Sequence, residues 1–254
     1  MRFPVLLPNI FNYPFTYESD LTLEVGDYVI VPFGKKKVTG VVWNEFEKKK
    51  DKSFKIKTIS KKLNVSPLKI STIKFLNWFS EYNIIPRGMA LKLVLLSSNA
   101  IERLKKDSYK IFESNIKVNS ISLSNEQKNS LKKMNNLNEK FRVHVLQGTT
   151  GSGKTMVYFS ALKTIIDRGL QGLILLPEIG LTNQFEKKFQ EFFGINPAVW
   201  HSGISKKKKE IIWSGVANGE IKVVIGARSS LFLPFKKLGL IVVDEEHDQS
   251  YKQD

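Results

Sequence analysis

The chain has 254 residues, a formal net charge of +16 from 40 Lys+Arg against 24 Asp+Glu, 42% hydrophobic residues and no cysteine. Without cysteine it has no disulfide framework, thiolate zinc site, iron–sulfur cluster or cysteine nucleophile, and its apolar fraction excludes a disordered chain while fitting one large domain or two modest ones. No stretch approaches the ~18 apolar residues of a membrane helix, so the sequence reads as a soluble cytoplasmic protein whose positive charge favours nucleic acid as partner, a lysine-rich solvated surface being the plain alternative.

The charge is uneven along the chain. Residues 1–140 carry 25 Lys+Arg against 13 Asp+Glu, whereas residues 141–254 carry 15 against 11. Short β-type runs are predicted at Leu21–Val25, Asp27–Phe33 and Val38–Trp43, punctuated by Gly26 and by the basic hairpin Gly34-Lys-Lys-Lys37. The charge-dense stretch 45–57 predicts a flexible connection, and Ile56–Leu63 returns to alternation. Ser66-Pro67 then opens a helix in which Leu68, Thr72, Phe75, Leu76 and Phe79 recur at helical spacing. A further apolar stretch runs from Met89 to Leu96, after which residues 103–122 lose periodicity and mark the expected domain boundary.

From residue 123 the pattern becomes strand, turn and amphipathic helix in repetition, the mark of a parallel α/β sheet. Five strands are predicted: Val143–Leu146, Gly172–Leu176, Pro197–Trp200, Ile221–Ile225 and Leu240–Val243. The first, fourth and fifth are rich in β-branched residues, as strands buried on both faces should be. His144 on the first would then be structural.

Directly after the first strand comes Gly148-Thr149-Thr150-Gly151-Ser152-Gly153-Lys154-Thr155, a complete G-x-x-x-x-G-K-[ST], followed by the amphipathic helix Met156–Asp167. Its glycines let successive backbone amides turn inward around phosphates at the positive end of the helix. Lys154 would neutralise the β- and γ-phosphates, and Thr155 would place its hydroxyl on Mg²⁺. Near the end of the chain, Leu240-Ile-Val-Val-Asp244-Glu245-Glu246-His247 is an apolar run that stops at acids. Asp244 would hold Mg²⁺ through its water shell, and Glu245 would orient and deprotonate the attacking water. A solvated acidic loop is the plain alternative.

These motifs, with Leu176-Pro-Glu-Ile-Gly-Leu-Thr182-Asn-Gln184, Trp200-His-Ser-Gly203, Val224-Ile-Gly-Ala-Arg228-Ser-Ser-Leu-Phe232 and Asp244-Glu-Glu-His-Asp248-Gln-Ser-Tyr-Lys-Gln253, resemble the primosomal replication-restart helicases, the PriA family of superfamily-two motors. The resemblance implies an α/β fold: a P-loop NTPase (RecA-like) motor lobe on a parallel sheet, incomplete at the C-terminus, preceded by a small β-rich DNA-binding domain with helices. The corresponding ranges are 1–104 for a domain binding the 3′ end of DNA, 105–122 for a linker too short for the family's winged helix, and 123–254 for the first motor lobe.

The resemblance also implies residue roles. Phe11, Asn12, Gly34 and Lys57 line the pocket for a free 3′ end at a fork, with Asn12 standing where the family often has Asp. Read from composition alone, Phe11 and Tyr13 are core aromatics and Lys35–Lys37 a solvated hairpin tip. Gln127, in Leu123-Ser-Asn-Glu-Gln127, reads the adenine edge, while Ser124 and Gln127 also fit a helix capping box. The ATP site comprises Gln127, Gly148 to Thr155 and Met156. Thr182, Ser202 and Arg228 grip the DNA backbone without regard to sequence, and His247 couples the carboxylates to that network. The run Lys206–Lys209 reads as a solvated face.

The implied cofactors are ATP and Mg²⁺; the family's Zn²⁺ belongs to cysteines that this chain lacks. The implied partners are forked or single-stranded DNA with a free 3′ end and replication-restart and primosome proteins, with no membrane. The expected function is ATP-dependent 3′-to-5′ unwinding in replication restart, this chain being an N-terminal fragment without unwinding of its own, because translocation needs two lobes that close on ATP. The alternative is a fork-binding module with residual nucleotide binding. In the implied fold a further strand separates the phosphate-loop strand from Leu240–Val243, and its loss would leave unpaired backbone on both sides.

Overall fold

The computed structural model describes residues 1–46, 56–95, 101, 122–134, 141–149, 151–177 and 183–251. The expected linker with its winged-helix question, most of the charge-dense connection, and the predicted residues Thr150 and Thr182 lie outside these. The chain divides into two compact units, the first taking Ser205–Asn218 and Phe232–Lys236 along with the N-terminal part, the second taking the remainder.

In the first unit, strands β1 (Arg2–Leu6), β2 (Phe15–Glu18), β3 (Tyr28–Phe33), β4 (Lys36–Val42), β5 (Lys57–Thr58) and β6 (Lys61–Lys62) form one sheet in the order β5-β2-β1-β4-β3-β6. β3 and β4 are an antiparallel hairpin closed by Gly34 and Lys35, with Phe33 opposite Lys36. Gly34 has φ +60, which suits the first position of a two-residue hairpin turn. Val5, Leu7, Tyr17, Val29, Val31, Val42 and Ile59 meet in the core beneath the sheet. Each such burial contributes about 1.5–3 kcal/mol. Buried Asp27 accepts from the Glu24 N–H at 2.7 Å and pairs with Lys62 at 2.7 Å, so its charge is compensated.

The expected strand at Leu21–Val25 is absent from the sheet, and β1 and β2, which the alternation did not single out, are present. β1 contains Pro4 and ends in consecutive apolar residues, so a period-2 signal is faint there. Helix α1 (Ile70–Tyr82) buries Ile73, Leu76 and Ser80 on one stripe, and α2 (Arg87–Val94) begins directly after Pro86. The helix Lys206–Asn218 belongs to this unit too, and Trp213 on it donates to the Val94 carbonyl at 2.7 Å.

The second unit holds α3 (Asn125–Met134), α4 (Lys154–Asp167), β7 (Gln171–Leu175), α5 (Asn183–Phe193), β8 (Ala198–Trp200), β9 (Val223–Gly226) and β10 (Leu238–Val243); between β8 and β9 the chain runs through α6 (Lys206–Asn218). The four strands are parallel, in the order β10-β7-β9-β8. β7 and β9 are buried throughout, as apolar central strands of a parallel sheet must be. Phe159, Phe189, Phe192 and Phe193 interlock with Ile174 and Ile225 in the core, the Phe189 and Phe193 rings 4.4 Å apart.

Two strand expectations are corrected. Residues 141–149 form no ladder among the described residues, with Val143 73% and Val145 89% exposed and His144 exposed as well. β-branched residues favour a strand only where a neighbour takes up the backbone hydrogen bonds. β10 is not buried on both faces: Leu240 and Val242 pack against the core, while Ile241 is 44% and Val243 48% exposed. Its one described neighbour is β7, which leaves the other edge open.

Candidate functional site

The phosphate loop is carried by α4, which starts at Lys154 directly from Gly153. Gly153 has φ +81, and a Cβ there would lie 2.4 Å from Gln127 Nε2. The tight turn therefore needs glycine both for its backbone and for its neighbour. Lys154 Nζ donates to the carbonyls of Gly148 at 2.7 Å and Thr149 at 3.2 Å. The cation is thus held over the loop, where a phosphate would meet it. Met156 is half-buried against the aromatic core and anchors the first turn of the helix.

Gln127 and Ser124 form the capping box in full: Ser124 N–H donates to Gln127 Oε1 at 2.9 Å, and Gln127 N–H donates to Ser124 Oγ at 3.2 Å. The Gln127 Nε2 donates to the Ser152 carbonyl at 3.0 Å, so this side chain ties α3 to the phosphate loop. Its carboxamide is engaged at both ends.

Asp244 follows β10, and its N–H donates to the Leu175 carbonyl at 3.0 Å, extending the pairing with β7 by one residue. Tyr158, one turn after Thr155 on α4, donates its hydroxyl to Asp244 Oδ2 at 2.8 Å. The ionisation of Tyr158 is pushed far up by burial and then by the Asp244 charge. Tyr251 donates to the Asp244 carbonyl at 2.9 Å, its own ionisation raised by burial first and by Asp244 next. Glu245 has φ +49, uncommon for a residue with a side chain, and its N–H donates to Asp244 Oδ1 at 3.1 Å. Backbone strain of this kind clusters at functional positions. His247 Nε2 lies 3.6 Å from Glu245 Oε2, both exposed.

The residue types suit Mg²⁺ and a nucleotide: a hydroxyl, Thr155, stands one turn before the tyrosine that bonds the Asp244 carboxylate, on the helix that starts at the Lys154 ammonium beside a glycine-lined turn. Among the described residues no cluster of three His, Cys, Asp or Glu could hold a metal by itself.

Arg228 stands exposed in the turn after β9, its Nη1 donating to the Tyr251 carbonyl at 3.4 Å, and Ser202 is exposed in the turn after β8. In the first unit, Phe11 packs edge-on against Phe15 and Phe33, with centroids at 5.4 and 6.4 Å, which brings it near Gly34. Asn12 is exposed, and its Oδ1 accepts from the Arg87 N–H at 3.0 Å. It lines a cavity of about 800 Å³ with Tyr13, Glu45, Asn77 and Arg87. Gly34 and Lys57 are not among that cavity's lining; Lys57 sits exposed on β5. Lys35 to Lys37 are exposed, as are Lys206 to Lys208.

Sequence reasoning passed over Tyr158 and Tyr251. The signal was present in Tyr158, a hydroxyl three residues after Thr155 within the otherwise apolar run Val157-Tyr158-Phe159. Only the fold reveals its partner.

Comparison with known proteins matches two successive stretches of the sequence. Residues 4–96 match the family described as 3′ DNA-binding domain, and residues 124–254 match the DEAD/DEAH box helicases, whose members use nucleotide and Mg²⁺. The chain is 42% identical over 256 residues to the replication restart protein PriA of Rickettsia felis, covering 98% of this chain and 38% of the relative. It is 36% identical over 163 residues to that of Bacillus subtilis, covering 63% and 20%. The corresponding protein of Helicobacter pylori is 44% identical over 131 residues, covering 52% and 20%. The chain thus spans well under half the length of the relatives it matches. Among the described residues no helix is long and apolar enough to cross a membrane. With a 3′ DNA-binding domain followed by a RecA-like P-loop lobe, the chain belongs to the PriA family of DEAD/DEAH-box replication-restart helicases, as an N-terminal portion.

Proposed function

We propose that this chain supplies the DNA-end recognition and the first nucleotide-binding lobe of an ATP-dependent 3′-to-5′ DNA helicase. It would act in the cytoplasm in replication restart, with restart and primosome proteins as partners. The observation that carries the reading is the hydrogen bond from Tyr158 to Asp244, which fastens the helix leaving the phosphate loop to the carboxylate at the end of a parallel strand.

In this reading the backbone amides from Gly148 through Thr150 to Gly153 wrap the phosphates, and Lys154 leaves the loop carbonyls to neutralise them. Thr155 and Asp244 are the protein's contribution to holding Mg²⁺, which when bound offsets charge on the phosphates. Glu245 orients the attacking water and takes its proton. A 3′ end would be met by Phe11, Asn12, Gly34 and Lys57. Thr182, Ser202 and Arg228 would grip backbone phosphates, and His247 would couple them to the carboxylates. The chain offers no thiolate for the family's zinc.

A second reading is a fork-binding module that binds nucleotide without turning it over. It is favoured by the exposed segment 141–149, since the loop then lacks a rigid strand behind it. ATPase activity of the 254-residue chain, with and without forked DNA bearing a free 3′ end and with Lys154→Ala as blank, separates the two. DNA-stimulated turnover lost in Lys154→Ala supports the motor, and salt-dependent fork binding without turnover supports the module.

A further inference from the structure

Asp244 is held on every side by the chain itself. Its N–H donates to the Leu175 carbonyl, its own carbonyl accepts from Tyr251, Oδ1 accepts from the Glu245 N–H, and Oδ2 accepts from Tyr158. Of these four contacts, only the last reaches across to the helix of the phosphate loop. Tyr158 has one hydroxyl hydrogen, and a carboxylate can only accept, so that hydrogen goes to Asp244. The bond is thus directed from the helix that leaves the phosphate loop to the carboxylate, and each Asp244 oxygen, accepting one hydrogen bond here, keeps a lone pair for a cation.

We propose that Tyr158 is a positioning residue for the divalent cation, fixing the Asp244 carboxylate in the orientation that receives Mg²⁺ with the nucleotide. This rests on the nucleotide reading above. Groups that orient metal ligands from behind are worth about 10–100-fold in metal affinity, so the effect should be large enough to measure without turnover.

The test is a Mg²⁺ titration of the 254-residue chain at fixed concentration of a fluorescent ATP analogue, read as nucleotide binding. Tyr158→Phe keeps the ring and removes only the hydroxyl; the Mg²⁺ midpoint should move up about tenfold. Asp244→Ala should move it at least as far, and adding Tyr158→Phe to Asp244→Ala should then change little, because the tyrosine acts through the carboxylate. A full Mg²⁺ response in Tyr158→Phe, or independent additive losses in the double variant, overturns the inference and leaves the nucleotide reading standing. Absence of nucleotide binding in the unaltered chain, with Lys154→Ala indistinguishable from it, overturns both.

Discussion

Trp213 donates its indole N–H to the carbonyl of Val94 at 2.7 Å, both groups buried, across 119 residues of sequence. Residue 213 lies within the range matched by the helicase family, yet α6 belongs to the same compact unit as the N-terminal sheet. The indole also meets Tyr28 edge-on, with ring centroids 5.8 Å apart. A segment from the second half of the chain therefore completes the core of the first unit.

Trp213→Phe should destabilise the first unit by about 1–3 kcal/mol, because the Val94 carbonyl at the end of α2 loses its donor while buried. Urea unfolding monitored by far-UV circular dichroism measures this. An unchanged midpoint would mean that water replaces the indole.

The Tyr28 hydroxyl is buried with no hydrogen-bond partner among the described residues, so Tyr28→Phe should be neutral or stabilising, by up to about 1 kcal/mol. Thermal unfolding of the two proteins decides it, and a clear loss of stability would reveal a partner for the phenol.

Gly153 and Gly169 both sit at positive φ, +81 and +76, but a Cβ at Gly169 meets nothing within 4 Å, whereas at Gly153 it displaces Gln127 Nε2. Each change to alanine should cost about 1–2 kcal/mol from the backbone alone. Only Gly153→Ala should weaken nucleotide binding, since it breaks the link from Gln127 to Ser152. Paired melting curves and nucleotide titrations test both parts.

Four tyrosines resist ionisation: burial pushes Tyr17 up to about 12 and raises Tyr28, Tyr158 and Tyr251 as well. Unfolded tyrosines ionise near 10, so above that pH the unfolded chain binds fewer protons than the folded one, and stability falls as pH rises. The stability these groups hold is complete below pH 10 and lost progressively towards their folded values. The slope for a fully buried group is about 1.4 kcal/mol per pH unit. Denaturant midpoints measured from pH 8 to 12 should be level at first and then drop, and Tyr28→Phe should make the drop shallower.

The phosphate loop, the helix that follows it, the acidic turn after an apolar strand and the Ser124–Gln127 capping box were legible in sequence because each is a local rule: fixed spacing of glycines, a polar stop to an apolar run, a hydroxyl three residues before an amide. The pocket assigned by resemblance to Phe11, Asn12, Gly34 and Lys57 was legible only as a list. In the structure, Phe11 packs into an aromatic cluster beside Gly34, Asn12 faces Arg87, and Lys57 lies on another strand. Strands β1 and β2 escaped notice because a proline and consecutive apolar residues blur alternation in β1, and four residues are too few to establish it in β2.

By itself the sequence determined the parallel α/β character of the second half, the phosphate-loop pattern around Lys154 and the acidic stop at Asp244, and the family, since these depend on residue type and short-range spacing. Tertiary structure alone decided that Val143–Leu146 pairs with no strand among the described residues, that Tyr158 reaches Asp244 and that Trp213 closes the first unit. Strand formation depends on a neighbour to share hydrogen bonds, and long-range contacts depend on how elements pack. Neither is written in the periodicity of any single segment.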